Sequence, residues 1–375
     1  MQIELESSLR RWTDAGLVDA SQADRIKDFE SLAAPQRGGR LPIFIGLALG
    51  GVMLMAGVLL FVSAHWEELS PTQRVTLLVS AVGVFHVAGA FCAERFRTMA
   101  ITLHAIGTVT LGGAIFLAGQ VFNLQEHWPL GVLLWAVSAL AGWLLLGDWP
   151  QLVLTAILAP SWLVSEWMEG APYGSGRQLV AAAGMLLLAI CYLSARYNPA
   201  GDSAAARALA WIGGLALIPS IFVLVLQRFL WGSNQADGSI LVMGWAAALL
   251  IPLLVAFLFR RDKAWMNAVA AAWVGVLSWV AASDLSGHPF GYLWCGLGAA
   301  GMIVWGLYES RAERVNLGMA GFALTIAFFF FSNVMDKLGR SASLIALGVM
   351  FQAGGWYWEK LRRKLVRRAI EGGLQ

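Results

Sequence analysis

The sequence predicts an all-α, polytopic transmembrane helix bundle, and three observations predict it. Of 375 residues, 58% are hydrophobic and 13% charged, against about 45–50% and about 25% in soluble domains. The mean hydropathy is +0.67. From Leu41 onward, apolar stretches recur between short breaks carrying charge, Pro or Gly, and each is about 20 residues long, as a helix crossing the hydrocarbon core must be. The chain has room for about twelve such spans (10–12) with short loops between them. A net charge of +3 is too small a surplus to point to nucleic acid.

The first forty residues are rich in charge and hold no long apolar run, so they do not form a cleavable signal peptide and belong in the cytoplasm. Ile3, Leu5, Leu9 and Trp12 recur at helical spacing, and Gly16 supplies a stop. Ser21 with Asp24 is the capping pattern for a second helix carrying Ile26, Phe29 and Leu32. Residues 1–40 therefore read as a short helical hairpin and linker, too small for a core of its own. It must lean on the membrane domain, a partner or another copy.

Residues 41–358 form the transmembrane domain. The span cores fall at 42–64, 75–93, 99–118, 129–147, 150–167, 178–195, 207–226, 239–259, 264–282, 289–308, 316–333 and 341–358. The pair flanking Asp148 either crosses twice or makes a shallow hairpin. Charge tests this layout independently, because cytoplasmic loops collect Lys and Arg. With the amino terminus inside, all of the 26 Lys and Arg face the cytoplasm except Arg74, Arg177, Arg228, Lys337 and Arg340. Both termini are thus expected in the cytoplasm. The 18 Trp fit the same picture: Trp66, Trp128, Trp265 and Trp356 sit near span ends, where indole keeps its N–H wet. Trp135, Trp211, Trp245, Trp273 and Trp305 lie deeper and read as packing residues. Glycines such as Gly46 and Gly50, Gly107, or Gly296, Gly298 and Gly301 allow helix backbones to approach closely.

The 359–375 tail is basic. Trp356 and Trp358 lead into Lys360, Arg362, Arg363, Lys364, Arg367 and Arg368. This is an aromatic anchor followed by a cationic helix that grips anionic lipid at the cytoplasmic face.

Inside the spans the charged residues of an ion-coupled carrier are missing, and the ionisable exceptions are His86 and His104. Counted from Arg95 and Arg97 on adjacent antiparallel spans, both lie about 10–14 Å from the inner interface and could meet. Interhelical hydrogen bonding is the plain reading, and a functional polar site the sharper one. Pro160, Pro219 and Pro252 mark helix breaks where backbone could line a cavity. At the outer span ends, His65, Trp66, Glu67 and His127 form a second candidate site, but without the tight spacing of a zinc centre. Cys92, Cys191 and Cys295 stand singly, so neither a disulfide framework nor a thiolate centre is expected. No metal, cofactor or catalytic motif is expected, so the chain does not read as an enzyme.

Three segments resemble a bacterial family of predicted membrane proteins known only as domain of unknown function 2157. They are Leu9–Asp19, with Gln22, Ala23 and Ile26 after it, then Gly57–Trp66, and then Gly112–Leu124. The resemblance covers about the first 150 residues. It implies an integral membrane protein with a cytoplasmic amino-terminal hairpin, and it supplies no activity. Trp66 and Gln120, both at outer span ends, could cap one shared cavity.

Two functions follow as expectations. One is a transporter or channel-like protein for a small or lipidic substrate, with a central polar cavity lined by His86, His104, Gln120 and the proline breaks. The other is a membrane scaffold or sensor whose amino-terminal hairpin recruits a cytoplasmic protein, or pairs with another copy of this chain.

Overall fold

A computed structural model of the chain describes residues 15–33, 69–122, 127–171, 174–196, 203–231, 238–283 and 289–333, with isolated positions among 9–13, 46–64 and 345–360. The described residues form helices and turns and no strand. They divide into two units, Met1–Leu124 and Gln125–Gln375, each with its own internal packing.

In the first unit the chain turns at Gly16, whose φ of +68° is the left-handed conformation that favours glycine. Gly16 N–H donates to Thr13 O and Leu17 N–H to Trp12 O, both at 3.0 Å, closing a helix end in the Schellman manner. Helix α1 (Ala20–Ala33) follows at once. Its cap is Asp19 rather than the expected Ser21–Asp24 pair. Gln22 N–H donates to Asp19 Oδ1 at 2.9 Å, and Asp19 N–H to Gln22 Oε1 at 3.0 Å. The turn at Gly16 leaves so few residues before the helix that the box forms nearer to it, and Asp caps as well as Ser. The Gln22 backbone N–H, followed by the Ser21 hydroxyl, holds the Asp19 carboxyl below its usual value.

Helices α2 (Pro71–Cys92) and α3 (Arg97–Val121) complete the described part of this unit and pack along their lengths. Pro71 at the first turn suits a helix start, and Ser70 with Gln73 forms a reciprocal capping box.

The second unit is a set of hairpins around one central helix. Helices α4 (Pro129–Leu146) and α5 (Trp149–Gly170) are joined through Gly147, whose φ is +67°. Helices α6 (Ser175–Leu193) and α7 (Ala204–Trp231) form the next pair. Helix α8 (Gly238–Arg260) leans on α6 and passes through a 3₁₀ turn, Arg261–Ala264, into α9 (Trp265–Ala282). Helices α10 (Pro289–Tyr308) and α11 (Ala312–Asn333) close the described chain as a hairpin. Helix α6 is the centre: 72% of Gly176–Leu193 is buried, against 6% of the most apolar stretch of α11. Leu186, Leu187, Leu193, Leu224, Val274 and Leu277 make the core around it.

Among the described residues nine helices are long and apolar enough to cross a membrane, namely α2–α4 and α6–α11. The span expected at 150–167 is α5, 22 residues long, and it is not among these nine. The spans expected at 42–64 and 341–358 lie largely outside the described residues.

The three prolines do not break their helices. Pro160, Pro219 and Pro252 each sit inside a continuous helix. At Pro160 the repair is visible. Proline has no N–H for the carbonyl four residues back, and the Tyr192 hydroxyl of α6 donates to that carbonyl, Ala156 O, at 3.0 Å.

Candidate functional site

Helices α2 and α3 bring His86 and His104 together. Their Nδ1 atoms lie 3.1 Å apart, so one imidazole donates and the other accepts, and the rings are tilted by 31°. The seat is reciprocal. A Cβ at Gly89 would stand 2.8 Å from the His104 ring, and a Cβ at Gly107 would stand 2.8 Å from the His86 ring. Each helix thus repeats His-x-x-Gly, and each histidine lies over the other helix's glycine. The pair can share one proton; a second would set two N–H groups against each other. Gln120 is not part of this site. It lies sixteen residues beyond His104 on α3, about 24 Å along the helix, and is exposed.

Of the outer candidate site, His127 is the residue that the structure describes. His127 Nε2 pairs with Glu166 of α5 at 3.0 Å, and Trp128 Nε1 donates to Glu169 at 3.2 Å. His127 and Glu166 are 46% and 45% exposed, so the pair is solvated. His65, Trp66 and Glu67 lie outside the described residues. Of the carboxyl-terminal anchor, Lys360 Nζ stands 5.2 Å over the exposed Trp356 ring. Trp358, Arg362, Arg363, Lys364, Arg367 and Arg368 lie outside the described residues.

A charge cluster that the sequence reading placed on cytoplasmic loops is buried in the second unit. Arg260 ends α8, Glu309 sits in the turn between α10 and α11, and Arg314 lies in the first turn of α11. Side-chain exposure is 0% for both arginines and 2% for Glu309. Glu309 bridges the two guanidiniums and accepts a further bond from Trp305 Nε1 at 2.9 Å. Arg260 Nη1 donates to Ser194 O at 2.6 Å, and Arg314 Nη2 to Arg196 O at 2.6 Å. Both cations therefore satisfy carbonyls at the carboxyl end of α6, where the helix dipole favours positive charge. The Trp305 ring lies 5.3 Å from the Arg260 guanidinium and 5.1 Å from that of Arg314. Asn267, fully buried at the start of α9, donates to Ser194 Oγ at 2.9 Å. Burial pushes the Glu309 carboxyl up, but Arg260, Arg314 and Trp305 together outweigh it and hold it below its usual value.

This clasp ties the ends of α6, α8, α9 and the α10–α11 turn into one node. One signal could have found it: Trp305 and Glu309 stand four residues apart at a span end, with Arg314 five further on, so both signs of charge gather beside a tryptophan. Positive-inside counting discards that information, because it treats every terminal Lys and Arg as solvated.

Beside the clasp, α7, α9, α10 and α11 enclose a cleft of about 1160 Å³. Phe222, Trp273, Trp294, Leu297 and Phe328 are among its walls, and Trp265, Trp305 and Tyr308 mark the end next to the clasp. Trp273 and Trp294 fix two walls, each donating its Nε1 to the other's backbone carbonyl at 3.0 Å. The α10 face at Leu297, Gly301, Val304 and Tyr308 lines the cleft while exposed. No proline, and none of His86, His104 and Gln120, lines it. This cleft is apolar, unlike the polar cavity expected around those residues. Among the described residues no three His, Cys, Asp or Glu side chains converge as a metal site would require.

A family model described as a predicted membrane protein (DUF2157) matches residues 10–152. The match takes in α1–α4 and the three resembling segments from residue 10 onward, while the clasp and the cleft lie beyond it. No curated protein and no solved structure matches the chain.

Proposed function

We propose that this multi-pass membrane protein resides in the bacterial inner membrane with both termini in the cytoplasm, and that it takes a lipidic substrate through the cleft between α7, α9, α10 and α11. The cleft carries the reading. A space of about 1160 Å³ walled by aliphatic and aromatic side chains, with tryptophans held in place, suits hydrocarbon and offers little to a hydrated solute. Its open α10 face would admit a chain sideways from the bilayer. The charge distribution supports the orientation, with the clasp at the cytoplasmic ends of the helices.

The test is photolabelling of the purified protein with a phospholipid bearing a diazirine on its acyl chain. Label should concentrate on peptides containing Trp273 and Leu297–Val304. Label spread evenly over all the lipid-facing helices would refute the reading.

A second reading, recruitment of a cytoplasmic protein by the amino-terminal hairpin, draws on Leu17, which is 73% exposed beside the Gly16 turn. Deleting residues 1–40 should then change the set of proteins recovered with the chain, and an unchanged set would sink that reading.

A further inference from the structure

We propose that the cleft selects an anionic phospholipid of the cytoplasmic leaflet, with its headgroup at Arg261 and Lys263 and an acyl chain between α9 and α10. The inference rests on the lipid-chain reading above and adds the headgroup class. Its basis is what adjoins one end of the cleft. No charged residue lines the cleft itself. At the end next to the clasp the walls finish in Trp265 on α9 and Tyr308 on α10, which are 59% and 71% exposed. The residues next along the chain from those walls are cationic. Arg261 and Lys263, both exposed, occupy the 3₁₀ turn that runs directly into Trp265.

By sequence, Arg261, Asp262 and Lys263 sum to one positive charge. Glu309 is already shared between Arg260 and Arg314, so the triad of two arginines and one glutamate stays net positive too. Indole and phenol at the end of an apolar slot, with ammonium and guanidinium just beyond, match a phospholipid: hydrocarbon, interfacial ester region, then phosphate. A zwitterionic headgroup would meet the same cations with no net charge to offer.

The test uses the full chain, purified in detergent with equimolar phosphatidylglycerol and phosphatidylcholine, and native mass spectrometry of the lipid adducts. The wild type should retain phosphatidylglycerol in excess, by about fivefold for each contributing cation. Arg261→Gln combined with Lys263→Gln should bring the ratio near one while leaving the total adduct in place. Both side chains are exposed, so the variant keeps its fold. Gly301→Trp should remove both adducts. Gly301 lines the cleft and a Cβ there would meet nothing within 4 Å, so a side chain at this position starts in open space. Equal retention of the two lipids by the wild type, or a preference that survives the double substitution, overturns the headgroup assignment and leaves the chain reading standing. Adducts that persist in Gly301→Trp overturn the chain reading itself.

Discussion

Replacing Glu309 by Gln isolates the charge at the centre of the clasp, because Gln keeps the shape and one acceptor oxygen. The wild-type carboxylate serves two guanidiniums whose side chains have no exposure. At an effective dielectric near 20, a pair of opposite charges about 4 Å apart attracts by about 4 kcal/mol. Glu309 supplies that attraction twice, and its loss also leaves Arg260 and Arg314 repelling each other. The carbonyls of Ser194 and Arg196 continue to solvate the two cations in part. The expected loss is therefore that of breaking a buried pair, about 3–5 kcal/mol. Unfolding in mixed micelles of rising dodecyl sulfate fraction, followed by tryptophan fluorescence, would measure it.

The sign of the pH dependence is set as well. The Glu309 carboxyl is depressed from its ordinary 4.5, so its contribution is complete above that value and is lost as pH falls through the lower, folded-state one. The wild type's advantage over the Gln variant should hold at neutral pH and shrink on acidification below about 4.5. A loss under about 1 kcal/mol at neutral pH, as for a solvated pair, would refute the burial argument.

Tyr192→Phe should destabilise by about 1–2 kcal/mol, because Ala156 O loses its donor. In a Pro160→Ala background the effect should vanish, since the new alanine supplies the missing backbone N–H; a double-mutant cycle with no coupling would contradict the repair. Gly107→Ala and Gly89→Ala each set a methyl 2.8 Å from an imidazole and should lower stability by about 1–3 kcal/mol. Gly119→Ala, with nothing within 4 Å, should not, and equal thermal unfolding of the three variants would argue against the histidine seats. Glu166→Gln breaks an ion pair that is nearly half exposed. It should change stability by less than about 1 kcal/mol, a contrast with Glu309→Gln that the same micelle titration can read.

Much of the fold was legible because the bilayer imposes a one-dimensional rule. Backbone groups in hydrocarbon must bond within their own segment, so apolar length alone identifies a spanning helix. The sequence stretches behind α2–α4 and α6–α11 could therefore be read one at a time. The stop at Gly16 was legible for the same local reason, since a left-handed turn needs only one residue's chemistry. The cap at Asp19 was missed by two residues because Ser21–Asp24 and Asp19–Gln22 both satisfy the pattern, and the position of the preceding turn decides between them. The meeting of His86 and His104 followed from counting residues along two adjacent helices.

Composition and local pattern by themselves determined that this is a helical, multi-pass membrane protein and roughly where its helices lie. Tertiary structure alone decided which charges are buried, which prolines are repaired and where an apolar space opens. Arg260, Glu309 and Arg314 look like loop residues along the chain, and each would be solvated if its helix stood alone. They become a desolvated clasp only because the ends of α6, α8 and α11 converge, and the sum of two cations and one anion has meaning only at that meeting point. The cleft arises in the same way. Hydropathy along one helix cannot distinguish a face that packs against protein from one that faces hydrocarbon, because the two environments are equally apolar.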